Sequence, residues 1–326
     1  MDIIAIDAMG GDNAPGEIVK GAVDSLHMDV KILLVGKEDI VAEELSKYSY
    51  NKNQIETVHA PEVVKTDEAA FALKKKKDSS LMTGINLLRE NHAKAFISAG
   101  STGALLTGAT IRLKRLKGIS RPALATLLPT AKGFCLLIDS GANVDCKAAY
   151  LHQFAVLGSV YMEHAMKISN PTVALANIGP EKDKGNALTK EAAELLEAGG
   201  LNFTGNIEAR DIAQGVADVV VCDGFVGNII LKTGEGYSKF IFNTLKAELT
   251  SSPLNKLGAL IAKGAFGNIK KRFDYTEVGG APFLGLSALV VKTHGSAGAK
   301  DIIGAVRQSK EFISNNIIGK MEEVLG

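Results

Sequence analysis

The sequence predicts an α/β protein in three layers, with helices on both faces of a largely parallel sheet. Three observations predict it. Short apolar runs alternate with helical patterns along the chain, and each run stops at Gly, Asp or Ser. Thirty-four glycines against eight prolines suit many tight strand-to-helix turns. A chain of 326 residues with 46% hydrophobic content carries enough apolar surface for a full core, either as one large α/β domain or as two closely joined lobes, and the expectation taken forward is a single α/β/α, Rossmann-like domain over 1–326. In such sheets ligands bind beyond the carboxyl ends of the strands, and the polar residues of this chain collect there.

The first run, IIAID (3–7), leads into DAMGGDNAP (7–15), where Asp7, Asp12 and Asn13 surround the paired Gly10 and Gly11. This loop suits a polar ligand or an Asp-based metal site, and equally a turn in which Asp and Asn bond their own backbone. VKILLVG (30–36) is the second run. KAFISAG (94–100) is the third and opens SAGSTGALLTGA (98–109), in which Ser98, Gly100, Ser101, Thr102 and Gly103 stand at a helix start. Unpaired amides and hydroxyls there would hold a phosphate, although a plain helix cap uses the same residues. No Gly-Lys-Ser/Thr follows, and the glycine spacing fits neither nucleotide fingerprint.

Next comes IRLKRLKGISR (111–121), with Arg112, Lys114, Arg115, Lys117 and Arg121 and no acid. Its first four cations suit an acidic protein partner, while Arg121 suits bidentate phosphate contact or an ordinary surface role. CLLIDSG (135–141) ends in DSGANVDC, which offers Asp139, Asn143 and Asp145. TVALANIG (172–179) ends in NIGPEKDKG, with Asn177, Glu181 and Lys184, where Lys184 could meet an anion or form a solvated surface pair with Glu181. VADVVVCDG (216–224) ends in CDGFVGN, with Asp223 and Asn228. A helical hairpin inserted over 235–275 follows. Its second arm, 254–272, puts Leu254, Leu257, Ile261 and Ala265 on one row and Lys256, Lys263 and Lys270 seven apart, giving an apolar face with a basic rim. The last polar loop, KTHGSAG (292–298), holds His294, a possible general acid or base near neutrality or a structural histidine.

Composition excludes several classes. A formal charge of +1 gives no global attraction to nucleic acid. Cys135, Cys146 and Cys222 are odd in number and widely spaced, which fits core thiols in a reducing cytoplasm and not a disulfide framework. No apolar run reaches membrane-spanning length, no basic leader precedes one, and no metal-ligand spacing is visible.

Taken in order, DAMGGDNAP, KKKKDSS, SAGSTGA, RPALA, DSGANVDC, NIGPEKDKG, CDGFVGN, GGAPFLGL and KTHGSAG resemble the phosphate acyltransferase (PlsX) family over nearly the whole chain. The resemblance implies an α/β/α fold related to phosphotransacetylases and a homodimer. It also implies conversion of acyl-carrier-protein thioesters and inorganic phosphate to acyl phosphate for a membrane glycerol-3-phosphate acyltransferase, with no cofactor. Two positions depart from the family pattern: Ser101 replaces a usual Asn, and Ala209 replaces a common Gly. The chemistry asks little of side chains, because phosphate dianion is already a nucleophile and a thiol of pKa near ~8.5 is a fair leaving group. What remains is positioning, and oxyanion stabilisation of about 3 kcal/mol per well-placed donor.

The expected site therefore has Lys184, Asp223, Asn228 and His294 in catalysis. Asp7, Gly10, Gly11, Asp12, Asn13, Ser98, Gly100, Ser101, Thr102, Gly103, Arg121, Asp139, Asn143, Asp145, Asn177 and Glu181 are expected around phosphate and substrate. Arg112, Lys114, Arg115 and Lys117 would dock acyl carrier protein, and Leu254, Leu257, Ile261, Lys256, Lys263 and Lys270 would meet an anionic membrane on its cytoplasmic side. Rival readings are an acyl-CoA phosphotransacetylase, a phosphohydrolase with a metal on Asp7, Asp12, Asp139 and Asp223, and a non-enzymatic membrane scaffold.

Overall fold

The computed structural model describes residues 1–65, 68, 70–272 and 279–326, the side chains of 70 and 270–272 excepted. All six apolar runs are strands: β1 (Asp2–Asp7), β2 (Val30–Gly36), β4 (Ala95–Ser98), β6 (Gly133–Ile138), β7 (Val173–Asn177) and β9 (Val219–Val221). Five more complete the sheet: β3 (Ile55–His59), β5 (Ala123–Thr130), β8 (Phe203–Glu208), β10 (Ala281–Leu284) and β11 (Leu289–Lys292). The helices are α1 (Gly16–Asp24), α2 (Glu38–Leu45), α3 (Ser80–Arg89), α4 (Thr102–Arg112), α5 (Ala148–His164), α6 (Ala187–Ala198), α7 (Gly224–Leu249), α8 (Pro253–Ile261), α9 (Lys263–Arg272), α10 (Ala299–Ser314) and α11 (Ile317–Leu325).

One eleven-stranded sheet runs in the order β3-β2-β1-β4-β11-β10-β5-β6-β9-β7-β8. Each wing is parallel within itself, β3 through β11 on one side and β6 through β8 on the other. Between them β10 pairs antiparallel with β11 and with β5, and β5 pairs antiparallel with β6. Three reversals leave the two wings pointing in opposite directions. The register then matters: Ser98 pairs with Lys292, and Lys292 with Ala281, at the carboxyl end of the first wing. Ile138, at the carboxyl end of β6, pairs with Ala125, while Phe283 pairs with Leu124. Continuing that last register places Ala281 opposite Thr126, one residue from Ala125. The carboxyl ends of both wings thus meet along one line, and each wing's strands run toward it from its own side.

Side-chain alternation explains the layers. Ile4 and Ile6 of β1, Leu136 and Ile138 of β6, and Val219 and Val221 of β9 join one core that spans both wings under residues from α1, α5, α10 and α11. The opposite face carries two separate cores. Ala5, Phe96 and residues of α3 and α4 form one, and Cys135, Leu137 and Val220 belong to the other. The gap between these two cores lies over the meeting line.

The helical arms differ from the sequence reading in two ways. The first does not begin at 235: α7 starts directly from the β9 loop at Gly224, because Asp223 Oδ1 accepts the Val226 amide at 2.8 Å and caps it. The second arm is not one helix, since α8 ends at Ala262 (φ −85°, ψ 5°) and α9 follows. Gly258, Gly264 and Gly267 within the arm lower its helix propensity and account for the break. Leu254, Leu257 and Ile261 remain on α8, exposed at 77, 55 and 81%, but Ala265 falls beyond the break. Lys256 and Lys263 are exposed, and the Lys270 side chain lies outside the described residues. Among the described residues no helix is long and apolar enough to cross a membrane.

Candidate active site

A cavity of about 560 Å³ opens on the meeting line. Its floor and walls come from the ends of β4 and β11, the start of β10, the start of β5, the loop after β6, and one face of α7. The apolar wall draws on both cores of that face, with Leu124 and Ala281 from one and Leu231 from the other.

The β4 end is built on a buried carboxylate. Asp7 Oδ2 accepts from Ser98 Oγ at 2.8 Å, and Ser98 Oγ in turn accepts the Gly100 amide at 3.1 Å. Burial raises the Asp7 pKa, against the hydrogen bonds from Ser80 and Ser98. Gly10 packs so closely here that a Cβ would lie 2.5 Å from Asp7 Oδ2, and Gly11, at φ +95°, turns the chain against Ala99. Gly100, Ser101 and Thr102 then present the first turn of α4 to the cavity. Ser101 Oγ accepts the Ala104 amide only at 3.5 Å, a long cap. Gly103 faces open space.

The KTHGSAG loop is tied to the first loop by Asn13, whose Nδ2 donates to Ser296 and Ala297 carbonyls at 3.0 and 3.2 Å, and by the Asp12 amide on Gly295 O at 2.7 Å. The Ser296 amide donates to His294 Nδ1 at 3.2 Å, and His294 Nε2 faces Lys232 Nζ at 3.4 Å and Glu235 Oε2 at 3.7 Å. Burial pushes the Glu235 carboxyl up, but hydrogen bonds from His294 and Lys232 outweigh it, and the carboxyl sits below its ordinary range.

The loop after β6 is organised by Asp139, which is fully buried. Its oxygens accept from the amides of Leu124, Gly141, Ala142 and Asn143 and from Asn143 Nδ2, at 2.7 to 3.1 Å. Desolvation raises its pKa, and the hydrogen bonds from the Ala142, Asn143 and Gly141 amides and the Asn143 side chain oppose the rise. Asn143 Nδ2 also donates to Pro122 O at 2.8 Å. Asp139 and Asn143 are thus engaged within their own loop, which presents Ser140 and Gly141 to the cavity beside Asn228. Ser140 Oγ lies 2.7 Å from Thr126 Oγ1, a second lining hydroxyl.

Of the expected site residues, the structure brings Gly100, Ser101, Thr102, Asn228 and His294 to the cavity, with Asp7, Gly10, Gly11, Asp12, Asn13, Ser98, Asp139 and Asn143 supporting its loops. The others lie elsewhere. Asn177 and Asp223 line a separate hollow of about 310 Å³ with Gly185, Asn186, Cys222 and Val226. Helical geometry explains the separation. Asn228, Leu231, Lys232 and Glu235 share one face of α7 at i, i+3, i+4 and i+7, while Val226 sits on the opposite face. Lys184 and Glu181 are exposed on the loop beyond that hollow, Asp145 is exposed, and Arg121 joins Arg115 and Tyr150 around an open surface depression. Lys114, Arg115 and Lys117 are exposed on that side, whereas Arg112 is half-buried. Asp7, Asp139 and Asp223 are each engaged by different local donors, and the described residues contain no group of three or more His, Cys, Asp or Glu able to hold a metal ion. Cys135 and Cys222 are buried, and burial pushes the Cys135 thiol up to about 12.

Sequence reasoning missed Lys292, Thr293, Lys232 and Glu235, all of which line the cavity. Two signals were available. The i+4 and i+7 positions after Asn228 give Lys232 and Glu235, and a lysine closing the apolar run LVVK is out of place unless its charge is used.

Comparison with known proteins agrees with this architecture. The chain is 48% identical over 327 residues to the phosphate acyltransferase of Clostridium botulinum (strain ATCC 19397 / Type A), covering 99% of this chain and 98% of the relative. It is 48% identical over 324 residues to the putative phosphate acyltransferase of Clostridium perfringens (strain 13 / Type A), covering 98% and 96%. Among solved structures, a phosphotransacetylase from Streptococcus pyogenes superposes with a TM-score of 0.62 at 19% identity, covering 100% of this chain and 94% of that one. The EutD phosphotransacetylase from Staphylococcus aureus gives 0.61 at 18%, covering 95% and 94%, so the fold is shared. The family described as fatty acid synthesis protein matches residues 3–320, and with relatives of this identity over nearly their full length, the chain belongs to that family, the PlsX phosphate acyltransferases.

Proposed function

We propose that the chain transfers a fatty acyl group from an acyl-carrier-protein thioester to inorganic phosphate in the cavity between the two wings. The observation that carries this reading is the juxtaposition of a helix start and cationic side chains with an apolar wall of Leu124, Leu127 and Leu231. One half suits an anion, the other an acyl chain. A phosphate oxygen attacks the thioester carbonyl carbon, the C–O bond forms, and collapse of the tetrahedral oxyanion breaks the C–S bond. The carrier's thiolate leaves and takes a proton. Asn228 would donate to the oxyanion, and His294 would pass the proton.

Purified protein should form acyl phosphate from acyl carrier protein and phosphate, read as the hydroxamate after hydroxylamine trapping. Transfer from acyl-CoA alone would move the reading to a phosphotransacetylase. Of the residues proposed as catalytic from the sequence, Asp223 would have to act from the hollow on the far side of α7 and Lys184 from the exposed loop beyond it.

The same reading assigns partners. The exposed Lys114, Arg115 and Lys117 would receive the acidic carrier protein, and a homodimer would cover exposed apolar residues of α7 such as Tyr237, Phe240 and Ile241. The α8 row would rest on the anionic inner membrane surface, delivering acyl phosphate to the integral glycerol-3-phosphate acyltransferase. Each cation near such a surface contributes about 1 kcal/mol. Leu257→Glu/Ile261→Glu should abolish sedimentation with anionic vesicles while light scattering still reports a dimer and activity in solution persists. Dissociation of the dimer would assign the row to protein packing instead.

A further inference from the structure

We propose that Lys292 and Thr293, at the end of β11, are the residues that bind the phosphate in this cavity, with the first turn of α4 completing the site. The inference rests on the acyl-transfer reading for the identity of the anion, and on three independent observations for its place.

The first is an unsatisfied hydroxyl. Thr293 is only 3% exposed, lines the cavity, and its Oγ1 has no hydrogen-bond partner. Buried hydroxyls without partners are costly and uncommon, so a vacant donor at the wall of a cavity marks the position of a ligand acceptor.

The second is a buried cation without a counter-ion. Lys292 is 9% exposed, and its Nζ donates to the carbonyl of Ala99, at 3.2 Å, and to that of Thr293. An ammonium has three N–H donors, so one remains for the cavity that Lys292 lines. No carboxylate forms an ion pair with it among the described residues. The charged groups facing it are Lys232, which disfavours its charge, and Asp12 and Asp7, which favour it; Glu235 and His294 pair with Lys232 across the cavity. Burial, together with the Lys232 ammonium, lowers Lys292 to about 8. A dianion between the two lysines removes the repulsion and restores the charge. Phosphate therefore gains more from this pair than a neutral ligand or a thioester carbonyl would.

The third is position. Lys292 pairs in the sheet with Ser98, and its ammonium holds the carbonyl of Ala99, the residue before Gly100. The cation and the amide-bearing turn of α4 are therefore fixed to each other by backbone and do not depend on a flexible loop. Both can address one tetrahedral anion.

The sign of the pH dependence follows. Lys292 is charged below about pH 8, so affinity for the phosphate dianion falls about tenfold per pH unit above that value, and it falls again below about pH 7 as phosphate itself takes up a proton. On the alkaline side phosphate has completed its second ionisation and does not mask the effect.

The test measures inorganic phosphate directly, as its thermal stabilisation of the protein without acyl donor, and through steady-state kinetics. Thr293→Val, which keeps the shape, should raise KM for phosphate roughly tenfold, the worth of one hydrogen bond to a charged group, with KM for acyl carrier protein unchanged. Lys292→Met should raise it at least ~100-fold and abolish the phosphate-dependent thermal shift. Lys292→Arg, which cannot deprotonate, should flatten the alkaline limb of the pH profile. Acyl phosphate formation with an unchanged phosphate KM in both Thr293→Val and Lys292→Met overturns the inference and leaves the acyl-transfer reading standing. A parent protein stabilised by phosphate but unable to make acyl phosphate keeps the anion site and overturns the acyl-transfer reading. A parent neither stabilised nor active overturns both.

Discussion

Gly227→Ala is expected to unfold or inactivate this protein, although the residue sits inside a helix where Ala is ordinarily the better choice by about 1 kcal/mol. A Cβ at Gly227 would overlap the carbonyl oxygen of Asp139 and crowd Cys222 Sγ, and the first of these is backbone that cannot rotate away. The helix start must retreat, at an overpacking cost of about 1–3 kcal/mol. Asn228 is the next residue, so its carboxamide leaves the cavity wall with it. A displacement near 1 Å at a reacting centre costs about 100-fold in rate. Gly234 lies in the same helix with nothing within 4 Å of its virtual Cβ, so Gly234→Ala should instead raise the melting temperature with activity unchanged. Calorimetry and turnover of the two variants, measured together, separate packing from propensity. Equal behaviour of the pair would show that α7 is not seated on the β6 loop as described.

Asp139→Ala should be the most destabilising substitution of a polar residue. It removes the acceptor of four backbone amides and one side-chain amide, all in a buried or part-buried setting, and each orphaned donor carries a cost of about 1–3 kcal/mol before relaxation. A net loss of at least ~3 kcal/mol is expected in urea titration. Asp139→Asn tests the cause. It preserves shape but offers one acceptor oxygen where the carboxylate offers two, so it should recover only part of the loss. Full stability in Asp139→Ala would mean that solvent replaces these bonds, contrary to the burial of the carboxylate.

The strands that sequence reading identified are the ones buried on both faces, which read as unbroken apolar runs. Four of the five it passed over have reasons of their own, and the fifth, LVVK, forms β11, which is as buried as the identified strands but only four residues long. IETVH and FTGNIE form β3 and β8, the outermost strands, where half of each strand meets solvent and the apolar signal dilutes. APFL is four residues long and contains Pro282, and ALATLLPT carries Thr126 and Pro129, so β10 and β5 read as loops. Those two strands are the ones that reverse the sheet. With them unread, the polar loops could be gathered only by analogy, since nothing in their order indicates that loops from oppositely directed wings face one another. Asn228 and His294 were legible because each stands in a polar loop or at a helix start. Lys292 was not, although it opens KTHGSAG, because nothing in the sequence shows that this lysine closes a strand buried along its length.

The four-residue β10 bears on the mechanics of the whole molecule. It engages β11 through Ala281 and Pro282 and β5 through Phe283 and Leu284, and Pro282 has no amide to donate. The seam between the wings is therefore held by few backbone bonds on the cavity side. On the far side it is held by a continuous apolar slab from Ile4 to Val219. A body bonded thinly along one surface and densely along the other is compliant in one bending mode only, with the slab as its pivot. Rocking the wings about that pivot changes the width of the cavity mouth while leaving every core contact on the pivot side intact. A four-residue strand at the seam of the sheet thus sets the softest coordinate available to a long acyl chain that must enter and depart.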